Sequence, residues 1–76
     1  MLNTNHLSTE SIYQGAFCLC RGMKLVGKGK SGNKFTILFE GKDSHIEAMK
    51  FYNGAKVEAK AYSDNLRSLK DFLFQR

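Results

Sequence analysis

Residues 23–40, MKLVGKGKSGNKFTILFE, decide the fold. Phe35, Ile37 and Phe39 alternate with Thr36, Leu38 and Glu40. This is the period of two expected of a strand with one face against a core. Ahead of it, Met23 and Leu25 fall on one face of an extended segment and Lys24 on the other. Ser31-Gly32-Asn33 between the two segments is a turn signal. The reading is an antiparallel hairpin whose aromatic face lies on helices. Leu38, on the opposite face, departs from the polar pattern there.

Working outward, a first helix is expected on the N-terminal side. Ser8 suits its N-cap, and Leu7 and Ile12 have the spacing of a hydrophobic staple. Ile12, Tyr13, Ala16, Phe17, Leu19 and Cys20 form a wide apolar face. Arg21 favours the negative end of that helix, and Gly22 can close it in a left-handed conformation. Residues 1–7 are polar and expected to fray. A second helix starts near Asp43 or Ser44, where Ser44 and Glu47 have capping-box spacing. Ile46, Met49 and one or both of Phe51 and Tyr52 should pack inward, and Asn53-Gly54 should end the helix. Tyr62, Leu66, Leu69 and Leu73 then mark a terminal helix over about 59–75, with Val57 a core plug before it. A short strand through Val57 is the alternative for 55–61. The expected class is α+β, in the order α-β-β-α-α, as one domain over 8–76.

Size and composition exclude much else. Seventy-six residues are too few for a nucleotide-binding α/β domain or a (β/α)₈ barrel. An apolar content of 42% argues against disorder, and no apolar run is long enough to cross a membrane. The first residues lack the basic and apolar parts of a secretory leader. Cys18 and Cys20, two apart in a helix, point to different sides and do not suit a bridge. Together these predict a cytoplasmic protein. Two cysteines with isolated His6 and His45 do not form a zinc ligand set, and no cofactor is expected. Gly27-x-Gly29-x-x-Gly32 matches the dinucleotide fingerprint in letters only, because a strand rather than a helix follows it. Those glycines fit a twisted, bulged or flexible hairpin. No nucleophile elbow or sequestered carboxylate pair is visible, so the chain reads as non-enzymatic.

Charge is the informative feature. The formal net charge is +5, and Lys24, Lys28, Lys30 and Lys34 place four positive charges without an acid in residues 23–34. Lysines on a glycine-rich ribbon can track phosphates. Four such contacts to duplex DNA would give a log–log salt slope of about −3.6. Arg67 and Lys70, three apart on the last helix, can extend the basic surface. The competing explanation is a solvated turn whose lysines guard strand edges. On the same helix, Lys60 with Asp64 and Arg67 with Asp71 have ion-pair spacing. Phe72 and Phe74 flank Leu73, so one of them must leave the main apolar stripe. That aromatic either widens the buried face or offers a self-association surface.

Several of these residues also carry a resemblance. Gly22-Met23-Lys24-Leu25 after the first helix, Phe35 to Phe39 after the hairpin, Tyr52-Asn53-Gly54 with Val57, and Leu66-Arg67 to Leu69-Lys70 are similar to a family of small uncharacterised bacterial and phage domains. That family has a Gly-aromatic-x-Leu segment, an F-x-F-like strand and a closing LRxLK helix. Met23 stands where the aromatic is usual, and the strand here is longer. The resemblance implies the fold outline and a bacterial or mobile-element setting, and it implies no catalytic residue. The expected function is weak, sequence-independent nucleic-acid binding through Lys24, Lys28, Lys30, Lys34, Arg67 and Lys70. The alternative is a protein-interaction or homodimerisation module serving a mobile element, with no membrane partner in either case.

Overall fold

A computed structural model describes residues 5–74. The elements are β1 (His6–Thr9), α1 (Ile12–Cys20), β2 (Lys24–Ser31), β3 (Lys34–Glu40), α2 (Ser44–Met49) and α3 (Ala59–Leu73). The fold is α+β: an antiparallel three-stranded sheet in the order β1-β3-β2, packed with helices. The hairpin forms as expected. Its two-residue loop is Gly32-Asn33, and Gly32 has a φ of 60° at the first loop position, as a type II′ turn requires. Phe35, Ile37 and Phe39 face inward; Ile37 and Phe39 are fully buried.

The N-terminal expectation is corrected. Residues 6–9 form a strand, so the order gains a leading β1. Of the stretch 1–7 expected to fray, residues 1–4 lie outside the described residues, while His6 and Leu7 pair with Glu40 and Phe39. Leu7 and Thr9 are buried and His6 and Ser8 exposed, which is strand alternation. The helix starts later, because Ser11 rather than Ser8 caps it. The Ser11 hydroxyl accepts a hydrogen bond from the Gln14 N–H at 3.1 Å. Gly22, with a φ of 87°, closes α1 as expected.

α1 buries Ala16 and Phe17 and packs Ile12 and Leu19 on the core as expected, but its buried face is wider than the expected one. Gln14 and Gly15 are buried and Tyr13 is exposed. Gln14 joins three elements: its Oε1 accepts from the Thr9 hydroxyl at 2.6 Å, and its Nε2 donates to the Ala48 carbonyl at 3.1 Å. Gly15 lets α3 approach, since a Cβ there would lie 2.7 Å from Leu69 Cδ2 and 3.4 Å from Ile37 Cδ1. The core therefore closes where α1, α3 and β3 meet.

α2 is a second correction. It has six residues and buries the small side chains Ser44 and Ala48. Ile46 and Met49, expected inside, are exposed. Asp43, with a φ of 53°, takes the cap position without a side-chain hydrogen bond. Ser44 is therefore the first helical residue rather than the cap of the expected capping box, and the Glu47 carboxylate accepts from Arg21 Nε at 3.1 Å and Lys50 Nζ at 2.6 Å. These hydrogen bonds, Lys50 first, hold the Glu47 carboxyl below its ordinary range. Of the two following aromatics Phe51 packs on Phe17, with centroids 5.7 Å apart, and Tyr52 is exposed. Gly54, with a φ of 77°, ends the turns that follow. Residues 55–58 form no strand, and Glu58 caps α3 by accepting from the N–H groups of Lys60 and Ala61. Val57 is half-buried rather than a core plug.

Candidate nucleic-acid interface

The six basic residues singled out above are all exposed, but the fold does not gather them on one surface. The cause is a β-bulge. Leu25 pairs with Phe39 and Gly27 with Leu38, leaving Val26 as an extra residue in β2. Plain alternation from Lys24 would send Lys28 and Lys30 to the outer face with it. After the bulge the parity reverses: Lys28 pairs with Ile37 and Lys30 with Phe35, both inward-facing positions. Lys24 remains on the outer face opposite Glu40. Lys34 adjoins the turn and alternates with Phe35, so it also belongs to the outer side.

Lys28 and Lys30 thereby join a group of aromatic rings. Lys28 Nζ donates to the Phe72 carbonyl at 2.9 Å, in the last turn of α3, and lies 5.0 Å from the Phe72 ring centroid. A cation there complements the negative end of the helix. Lys30 Nζ lies 5.6 Å from the Phe35 centroid. Phe35 in turn meets Phe74 edge-on, with centroids 5.6 Å apart. Phe72 is partly buried against the core, whereas Phe74 is 58% exposed. Of the two aromatics around Leu73, Phe74 is the one that leaves the stripe.

Lys70 also stands in the last turn of α3. It shares a shallow depression with Ser63, Leu66 and Arg67, one stripe of the helix. Lys28 thus stands at the last turn of α3 and Lys30 beside Phe35, whereas Arg67 and Lys70 occupy a separate stripe of the same helix, and Lys24 and Lys34 lie on the outer face of the sheet. Lys60 pairs with Asp64 at 2.8 Å, as its spacing predicts.

No family model, curated protein or solved structure matches this chain.

The remaining chemistry-bearing residues do not converge. Among the described residues no group of three or more His, Cys, Asp or Glu could hold a metal ion. His6 pairs with Glu40 at 3.2 Å, and His45 is exposed on α2. Cys18 and Cys20 are free thiols. Burial, with a smaller contribution from Glu47, pushes Cys18 up to about 11, the behaviour of an inert packing thiol. Among the described residues no helix is long and apolar enough to cross a membrane.

Phe35, beside Lys30, and Phe74, beside Phe35, are not among the six expected basic residues. Their signal was present in the β2 sequence, where glycines on both sides of Lys28 mark a place where strand parity can slip.

Proposed function

We propose that this protein is a non-enzymatic binding module that holds single-stranded nucleic acid, without sequence preference, at the C-terminal end of α3. Lys28, Lys30, Arg67 and Lys70 would take phosphates, and Phe74 would offer a stacking face. The observation that carries this reading is the bulge at Val26, which sets two hairpin lysines beside Phe35, Phe72 and Phe74. Positive charge beside an exposed ring is what sequence-tolerant strand binding uses, because every base has a face to stack and every nucleotide a phosphate. The geometry favours a single strand over a duplex: the cluster is an aromatic ledge on a sheet edge, not a helix presented to a groove. Asp71 lies on the same helix and limits the local positive charge.

The bacterial or mobile-element setting, implied by the resemblance above, and the cytoplasmic location belong to this proposal. Two free thiols, one sealed in the core, support a reducing compartment.

The test is fluorescence anisotropy with a labelled oligothymidine. Binding at low ionic strength should weaken with salt at a log–log slope of about −2.8, four contacts at the single-strand value. Phe74→Ala should weaken binding by about tenfold, the loss of one stacking contact worth about 1–3 kcal/mol. Equal binding by the Phe74→Ala variant would leave a purely electrostatic contact and remove the stacking role.

A second reading has its own observation. Phe17, Phe51, Ala55, Val57, Ala59 and Tyr62 line an apolar groove of ≈ 330 Å³. Tyr52, in ring contact with Phe51, stands exposed beside it. This would suit an apolar segment of a protein partner. A nuclease-treated pull-down that retains a specific protein would favour it over the nucleic-acid reading.

A further inference from the structure

The outer face of the sheet carries a pattern that the fold does not need. Val26 is 48% exposed and Leu38 37% exposed, both on this face. They line a depression of ≈ 350 Å³ with His6, Ser8 and His45. Met49 lies one turn beyond His45 on α2 and is also exposed. Directly opposite Leu38 and Thr36, β2 presents glycines. Gly27 is the partner of Leu38, and Gly29 the partner of Thr36. Neither glycine has a positive φ. A Cβ at Gly27 would meet its nearest neighbour, Leu38 Cδ1, at 3.7 Å, and one at Gly29 would meet Thr36 Cβ at 3.9 Å. Both are ordinary contacts, so the chain itself has room for side chains there. Glycine within a strand weakens it, and often marks a close approach by something else.

Three of the registered β2–β3 pairs on this face are large against small or negative against positive, Leu38 with Gly27, Thr36 with Gly29 and Glu40 with Lys24, and a fourth, Lys34 with Ser31, closes the row at the turn. Consider a two-fold axis parallel to the strands, midway between β2 and β3, in the plane above the face. It places β2 of one copy over β3 of the other at the same height. Each Leu38 then faces the other copy's Gly27, each Thr36 faces Gly29, and each Glu40 faces Lys24. An axis so placed sets each residue over its own registered partner, and here those partners match in size or in charge, as an isologous interface requires. We propose that two copies of this chain associate face to face through the outer surfaces of β2 and β3. The two strands cover roughly 10 by 25 Å, about 250 Å² for each copy, well below the roughly 800 Å² of a standard interface. The association is therefore weak and concentration-dependent.

Sedimentation velocity of the full chain, from about 10 µM to about 1 mM, tests this for an interface of that size. The weight-average mass should rise from the monomer value of 8.6 kDa towards twice that value. Leu38→Lys and Gly29→Val should each leave a folded monomer by circular dichroism and lose the rise in mass. Lys24→Glu alone should weaken the dimer about tenfold, and adding Glu40→Lys should restore it, since the swapped charges again face each other. A strict monomer throughout the range overturns the proposal, as does a dimer that survives Leu38→Lys. The nucleic-acid reading is untouched by either result, because its residues lie on the other side of the sheet.

Discussion

Gln14 is the residue on which the N-terminal half of the molecule depends. It is buried between the Thr9 hydroxyl and the Ala48 carbonyl and hydrogen-bonds both. Gln14→Ala would empty the site and remove both hydrogen bonds, while the Ala48 carbonyl keeps the Phe51 N–H and the Thr9 hydroxyl keeps the Ser11 N–H, so a loss of about 1–3 kcal/mol is expected in urea unfolding. Gly15→Ala sets two effects against each other. Alanine gains about 1 kcal/mol of helix propensity. Its Cβ, however, would sit 2.7 Å from Leu69 Cδ2, and Leu69 is itself fully buried. Overpacking of this kind costs about 1–3 kcal/mol, so net destabilisation should appear in the same measurement. Cys18 adds a pH dependence. Above about pH 9 the unfolded chain releases the thiol proton, while the folded chain holds it until about 11. Stability is thus fully present below pH 9 and falls between pH 9 and 11, and Cys18→Ala should flatten that fall. In the native protein at pH 8, a thiol reagent should leave Cys18 unmodified until the chain unfolds.

At the scale of elements, the strong periodic segments were legible and the parity of β2 was not. The Phe35, Ile37, Phe39 alternation located β3 and its buried face, and Tyr62, Leu66, Leu69 and Leu73 located α3. Gly22 marked an end that the structure keeps, whereas α2 stops at Met49, short of the Asn53-Gly54 expected to end it. Four-residue β1 was read as the run-up to a helix because Ser8 and Ser11 are equally good caps on sequence grounds. Pairing with β3 decides between them, and pairing is a tertiary fact. α2 misled for a related reason: its large apolar residues face out, and its contacts are made by Ser44 and Ala48. The bulge at Val26 changed the candidate site most. One extra residue carries Lys28 and Lys30 through the sheet, so the lysine run that looked like one ribbon serves two faces. The glycines hinted at a bulge without giving its position. For α3, the Glu58 carboxylate accepts from two N–H groups at the helix start, so Glu58→Ala should cost about 0.5–2 kcal/mol in thermal unfolding.

At the scale of the whole molecule, the net charge of +5 divides into unlike parts. Lys24 lies in the outer-face charge row with His6 and Glu40, and Lys34 joins the outer face near the turn. Lys28 and Lys30 sit with the rings of Phe72 and Phe35, and Arg67 and Lys70 share a stripe of α3. If the second group holds nucleic acid, the six charges are not interchangeable, and this distinguishes the account from one based on net charge alone. The most direct measurement compares two triple variants by anisotropy on a labelled oligothymidine at low ionic strength. Lys30→Gln, Arg67→Gln and Lys70→Gln together should abolish binding. Lys24→Gln, Lys34→Gln and Lys42→Gln together remove the same charge from elsewhere and should leave binding within about threefold of the parent, since unengaged lysines release no counterions. Equal losses in the two variants would contradict the account, as would a parent protein that gives no anisotropy change.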